Sequence, residues 1–293
     1  MISQRELSRL VNRLYEEARQ TLGRQALRLP EETVERDYCL AWLLCSLSRH
    51  ATLGESLAFK GGTALRRIHY GEYRFSEDLD FTLVAELPFD TVLNGFAEVF
   101  AETERESDVR FWLRGGDGAV ANHQRNDTCY FEYQGPRLRP SSVKVDVTRS
   151  ETVVFPLQRK PVLRTYQEFD LPEDRQLLVY SLEEIVVEKT LAVTDSARRE
   201  PRDLYDLWYI FDSGLVADPE LMVEGLSRKL ASRPGRNADV LVPKLDNAER
   251  VLRKAWANRL SAQVSMLPVF DGCFRRVRRS LSRFDELRDT GRL

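Results

Sequence analysis

The sequence predicts an α+β fold in two lobes, an N-terminal lobe with a mixed twisted sheet and packed helices and a C-terminal lobe that is helical. Three observations carry this. Segments alternating apolar and polar residues fall between Leu57 and Tyr180, helical spacing precedes them, and from Ser181 two helices separated by an exposed basic segment, Ala197 to Arg202, lead into a pattern that is helical throughout from about Asp218. The chain's 293 residues are enough for two ordinary domains with a sizeable core. We therefore divide it at residues 1–180 and 181–293.

Composition narrows the class. Charged residues make up 31% and apolar ones 42%, which suits a globular chain and not a disordered or fibrous one. No apolar run is long enough to cross a bilayer, and Met1-Ile2-Ser3-Gln4 begins no apolar leader, so a cytoplasmic protein without a membrane partner is expected. Cys39, Cys45, Cys129 and Cys273 have no paired spacing, against a zinc site or a disulfide framework. A net charge of −2 excludes a globally basic nucleic-acid binder but not local basic patches.

Taken in order, Pro30-Glu31-Glu32 suits a first helical turn, and Tyr38, Leu40, Trp42, Leu43, Leu44 and Leu47 form the apolar face of a core helix. Leu57-Ala58-Phe59 reads as a short buried strand. Gly61-Gly62 then turns the backbone into a helix carrying Ala64, Leu65 and Ile68, and amides at such a turn face an anion at the positive end of a helix dipole. Thr63 adds a hydroxyl. Alone, Gly-Gly-Thr is a tight turn.

The strand from Asp78 to Leu83 changes that balance. Alternation sends Leu79, Phe81 and Leu83 to one face and Asp78 and Asp80 to the other. Two carboxylates about 4 Å apart repel by roughly 1 kcal/mol in water and about 4 kcal/mol at an effective dielectric of 20, and a divalent cation reverses the sign. Magnesium favours carboxylate oxygens together with phosphates. Pro88 to Phe100 is an amphipathic helix. Strands are expected at Val109–Leu113, Thr128–Tyr133 and Ser142–Thr148, separated by Gly115-Gly116-Asp117-Gly118 and Gln134-Gly135-Pro136. In the last of them Lys144, Asp146 and Thr148 share a face, so Asp146 is a candidate third metal carboxylate. Short strands are expected at Pro161–Tyr166 and Gln176–Tyr180. Ser181-Leu182-Glu183-Glu184 has the form of a capping box. Its helix carries Ile185, Val186 and Lys189; a second helix begins near Asp203, which suits a capping position, and Ser232 to Asn237 is a breaker-rich stretch before a long helical segment. Arg275, Arg276, Arg278 and Arg279 make the last helix basic.

Phe59-Lys60-Gly61-Gly62-Thr63-Ala64-Leu65, followed by Arg74-Phe75-Ser76-Glu77-Asp78-Leu79-Asp80-Phe81, resembles the signature of the AbiEii/AbiGii-type nucleotidyltransferase toxins of the DNA polymerase beta-like superfamily. Gly62-Thr63 stands where the superfamily has Gly-Ser, and the spacer before Asp78-Leu79-Asp80 is longer than in many members. The resemblance continues through Lys189 and Arg202-Asp203-Leu204-Tyr205-Asp206-Leu207 and spans roughly residues 37–210. It implies a two-lobed nucleotidyltransferase fold, with Lys189 and Asp203 supplied by the helical lobe across a cleft.

It also implies nucleotidyl transfer from a nucleoside triphosphate (NTP) with release of pyrophosphate. Asp78, Asp80 and Asp146 would hold Mg²⁺, Asp146 either binding a second ion or serving as base. Lys60, Gly61, Gly62, Thr63, Ser76, Lys189 and Arg202 would bind the nucleotide. Catalytic positions are then Asp78, Asp80, Asp146, Lys189 and Asp203, the last positioning Lys189 or the nucleotide. Arg66 and Arg199 are further candidates for phosphate contacts. The resemblance further implies an RNA acceptor, the 3′ end of tRNA, in a toxin-antitoxin or abortive-infection system with a separately encoded antitoxin. Transfer to a protein or small-molecule hydroxyl, and nucleotide binding without turnover, are the alternatives.

Overall fold

A computed structural model describes residues 1–116, 120–123, 125–216, 218–232 and 240–290. The chain forms two compact units. The sheet unit comprises Met1–Glu151, Leu157–Val179 and Ala262–Ser265; the helical unit comprises Thr152–Pro156, Tyr180–Ser261 and Met266–Leu293. The fold is α+β with a mixed sheet.

In the sheet unit the helices are α1 (Gln4–Leu22), α2 (Glu31–Leu47), the single turn α3 (Leu53–Ser56), α4 (Gly61–Ala64) and α5 (Phe89–Ser107). The strands are β1 (Leu57–Lys60), β2 (Leu79–Leu83), β3 (Arg110–Leu113), β4 (Val120–Asn122), β5 (Asn126–Gln134), β6 (Pro140–Thr148), β7 (Gln158–Pro161) and β8 (Gln176–Val179). They join in the order β3-β5-β6-β2-β1-β8-β7, with β4 paired to β5. Pairs β2–β6 and β1–β8 are parallel and the others antiparallel.

One sheet face is apolar because every second residue of the inner strands is: Phe81, Phe131, Val145 and Val147 are buried there. The phenylalanines of α5 close over it, Phe96 meeting Phe131 at 4.8 Å and Phe81 at 6.1 Å between ring centroids. The opposite face is left to the polar residues of the same strands.

Two expectations need correction, and one strand was not foreseen. The strand placed at Pro161–Tyr166 lies instead at Gln158–Pro161. It is an edge strand whose Arg159, Lys160 and Pro161 supply no apolar alternation to read, and proline and charge at an edge oppose pairing with another chain. Strand β4, three residues long, has no counterpart in the sequence reading, because so short a run shows no period. At Ser181 only half of the capping box forms. The hydroxyl accepts from the Glu184 amide at 3.2 Å, but the Glu184 carboxylate turns inward. There it accepts from the amides of Val154 and Phe155, each at 2.8 Å, and pairs with Lys229 at 2.6 Å; both side chains are fully buried. The residues Asp117, Gly118 and 233–237 of the two expected linkers lie outside the described residues.

The helical unit contains α6 (Leu182–Val193), α7 (Pro201–Ser213), α8 (Pro219–Ala231), α9 (Leu241–Leu260) and α10 (Phe270–Asp289). Its core includes Leu204, Leu207, Ile210, Val277 and Leu281. Among the described residues no helix is long and apolar enough to cross a membrane.

Candidate active site

Register places the chemistry on the polar face of the sheet. Asp80 of β2 lies opposite Asp146 of β6 in the parallel pair, Lys60 of β1 lies opposite Asp80, and Thr128 of β5 lies opposite Asp146. Paired residues point to the same side of a sheet, so Lys60, Asp80, Asp146 and Thr128 form one cross-strand row. Asp78 directly precedes β2 and is half-buried, as are Asp80 and Asp146.

Asp146 is held from three directions. Its Oδ1 accepts from Thr128 Oγ1 at 2.5 Å and Asn126 Nδ2 at 3.2 Å, and its Oδ2 accepts from Lys144 Nζ at 2.5 Å. Burial pushes this carboxyl up, but the hydrogen bonds from Lys144 and Thr128, the Lys144 charge and Asn126 together outweigh burial and hold it below the usual carboxylate range. Burial pulls Lys144 down, and its contact with Asp146 together with the charges of Asp78 and Asp80 reverses that and raises it. Three carboxylates thus act on one ammonium. Lys144, Thr128 and Asn126 were not among the expected site residues. Lys144 was legible two residues before Asp146 on the same strand face; the other two emerge only from cross-strand register.

The turn at β1 adds a close backbone approach. Gly61 has φ +80°, in the region that favours glycine, and a Cβ there would collide with the Asp80 carboxylate. At Gly62 a Cβ would stand 2.6 Å from Arg74 Nη2 and 2.9 Å from Ser76 Oγ. Ser76 and the Arg74 guanidinium are thereby brought against the start of α4, which widens into a π-helical turn at Leu65–Tyr70. Thr63 is buried, and its hydroxyl donates to the Asp78 carbonyl at 2.6 Å, tying the helix start to the acidic segment. Lys60, nine-tenths buried, points from β1 into the cross-strand row.

Arg66 is not available to a phosphate. Both Arg66 and Arg67 are buried against Asp37: Arg66 Nη2 lies 2.8 Å from Asp37 Oδ2 and Arg67 Nε lies 2.8 Å from Asp37 Oδ1. Arg66 also donates to Tyr166 Oη at 2.9 Å. Burial pushes the Asp37 carboxyl up, and the two guanidiniums outweigh this and hold it below its ordinary value.

In the helical unit, Lys189 of α6 pairs with two aspartates of α7, reaching Asp203 Oδ1 at 2.6 Å and Asp206 Oδ2 at 2.8 Å. Arg198 Nε also reaches Asp203, at 3.0 Å. The structure therefore joins Lys189 to Asp203 and adds Asp206, three residues on and on the same helix face. That spacing was visible in the sequence. Arg202 stands 3.9 Å from Glu200. Arg199 is half-buried in the segment before α7.

Among the described residues no three acidic, histidine or cysteine side chains stand together at metal-ligand spacing. The donor set on the sheet face nevertheless fits a hard divalent cation: Asp80 and Asp146 lie in register on adjacent strands, Asp78 directly precedes β2, and the pKa of the ammonium in contact with Asp146, that of Lys144, is raised by the charges of all three.

None of the curated proteins matches the chain. Among solved structures, MenT4, a nucleotidyltransferase toxin from Mycobacterium tuberculosis, is similar with a TM-score of 0.59 and 19% identity, covering 93% of this chain and 88% of that one. At this identity the likeness is one of fold. The sequence itself matches, over residues 42–287, the family described as Nucleotidyl transferase AbiEii toxin, Type IV TA system. With most of its length matched, the chain belongs to the AbiEii nucleotidyltransferase toxin family.

Proposed function

We propose that the protein is a cytoplasmic, Mg²⁺-dependent nucleotidyltransferase toxin that moves a nucleoside monophosphate from an NTP to an RNA hydroxyl, the tRNA 3′ end, and that its antitoxin is encoded separately. The observation that carries this reading is the register match of Asp80 with Asp146 on adjacent parallel strands, beside a glycine turn that only a residue without a side chain can form.

Asp78, Asp80 and Asp146 would hold Mg²⁺, which supplies Lewis-acid polarisation of the α-phosphate and charge neutralisation on the triphosphate. The acceptor hydroxyl oxygen bonds to the α-phosphorus, the bond to the bridging oxygen breaks, and pyrophosphate leaves with the electron pair. Asp146 accepts three hydrogen bonds, which suits a fixed negative charge better than a group that must take the hydroxyl proton. The proton then passes to solvent. Gly61 lets the backbone approach Asp80, while the amide of Gly62, Ser76 and Lys60 serve the phosphates. Thr63 acts by fixing Asp78. Within the helical unit we assign to Lys189 and Arg202 a phosphate-binding role and to Asp203 and Asp206 the fixing of the Lys189 ammonium.

Incubation with Mg²⁺ and each α-labelled triphosphate, with total RNA and separately with lysate protein, tests the reading. Label on RNA supports it. Label on protein alone moves the acceptor to a different class, and nucleotide binding without label supports a non-catalytic module.

A further inference from the structure

Strand β6 carries more than Asp146 on its polar face. Reading back at every second residue, Lys144 and Ser142 follow, and at about 3.3 Å per residue Ser142 lies roughly 13 Å from Asp146. Beside them on β5 stand Tyr130, opposite Lys144, and Glu132, opposite Ser142. Arg114 crosses this strip. Its guanidinium lies 4.7 Å from the centre of the Tyr130 ring, and it donates to Ser142 Oγ at 2.6 Å and Glu132 Oε1 at 3.2 Å.

Beyond Ser142 the strip opens into a hollow of about 510 Å³, lined by four arginines, Arg36, Arg114, Arg137 and Arg139, against two glutamates, Glu32 and Glu132. The loop bearing Arg137 and Arg139 is anchored from inside. Glu35, fully buried, accepts from the Arg137 amide at 2.6 Å, and Gly135 packs so closely on Cys39 and Glu35 that a Cβ would stand 2.5 Å from the Cys39 sulfur. The backbone at Arg137 is thus held by a buried carboxylate.

We propose that this strip is the acceptor site, binding the 3′-terminal nucleotides of a single-stranded RNA with the terminal hydroxyl at Asp80 and Asp146 and the preceding phosphates running toward the Arg137–Arg139 hollow. The choice of RNA rests on the nucleotidyl-transfer reading above. The chemistry of the strip fits a polynucleotide: half-exposed Tyr130 offers a ring for a base, Lys144 and Arg114 flank it, and at the far end Arg36, Arg114 and Arg137 pair with Glu32, Glu132 and Glu35 while Arg139 stands exposed as a fourth guanidinium.

The test measures fluorescence anisotropy of a short labelled RNA ending in a 3′-deoxynucleotide, at two salt concentrations, with polyglutamate and unlabelled RNA as competitors. Binding of a fluorescent NTP is measured in parallel. Arg139→Glu, an exposed position, is expected to weaken RNA binding at least about tenfold and to reduce the salt slope by about 0.7 for each phosphate no longer neutralised. Tyr130→Leu is expected to weaken it about fivefold or more with the slope unchanged. NTP binding stays at the wild-type level in both. RNA binding equal in the wild type and both variants overturns the proposal, as does displacement by polyglutamate as effective as that by unlabelled RNA. Failure of NTP binding in the wild type, with RNA still bound through Arg139 and Tyr130, overturns the nucleotidyl-transfer reading and leaves an RNA-binding strip.

Discussion

Asp37 and Asp146 are both aspartates of the sheet unit held by basic neighbours, yet their side chains are 4% and 20% exposed. Asp37 is clamped between two guanidiniums that are themselves buried. Asp146 has one lysine, itself 40% exposed, two neutral donors and an open side. The same pairing of charges thus serves two ends. A carboxylate sealed between two cations has no remaining direction from which to meet a ligand, and it is there because removing it would strand two buried charges. A carboxylate on a half-exposed strand face keeps its charge and its access.

Substitution at each aspartate in turn should separate the two behaviours. The largest effect is expected at the open cluster: Asp146→Asn lowers nucleotidyl transfer about a hundredfold to a thousandfold, because several kcal/mol of metal-assisted charge stabilisation is lost. Its urea midpoint stays close to wild type. At the sealed cluster, Asp37→Asn costs about 3–5 kcal/mol of stability by leaving Arg66 and Arg67 uncompensated, read by urea or thermal unfolding, while the folded fraction keeps its turnover.

Acid unfolding distinguishes the sealed aspartate further. Because the folded-state carboxyl of Asp37 lies below its unfolded value of about 3.9, its contribution is fully present above that pH and is lost as pH falls through the folded-state value. Unfolding experiments from pH 6 down to pH 2 are therefore expected to show a steeper loss in wild type than in Asp37→Asn. A parallel loss in both would assign the acid sensitivity elsewhere.

Two smaller effects concern the approach to the acids. Gly61→Ala forces a methyl group onto the Asp80 carboxylate at a φ of +80°, so transfer is expected to fall about tenfold, with roughly 1–3 kcal/mol of strain visible in the unfolding midpoint. Lys144→Met removes the cation nearest Asp146, and the Asp146 carboxyl is expected to titrate higher, seen by carboxyl NMR of labelled protein.

The sequence exposed the parts of this arrangement that are local in the chain. The alternation of β2 and β6 made Asp80 and Asp146 legible as polar-face residues, and the glycine pair marked the turn, because side-chain period and glycine's freedom are properties of a few consecutive residues. What remained hidden depends on register. Thr128 and Asn126 reach Asp146 only once β5 is known to pair with β6, and Arg66 looked like a phosphate ligand until α4 and its π-helical turn directed it onto Asp37, far back in α2. The edge strand β7 was misplaced because its residues are charged or polar and half-exposed, with Arg159 on Glu55 and Lys160 beside His69, so no apolar alternation marks it.

The acid row on the sheet face is probed at its source by equilibrium binding of an NTP with and without Mg²⁺ to Asp78→Asn and Asp80→Asn, alongside unfolding curves of both. Mg²⁺-dependent binding is expected to disappear in both variants while their unfolding midpoints stay with the wild type. Mg²⁺-dependent binding at wild-type affinity in the two folded variants would contradict the metal role of these aspartates.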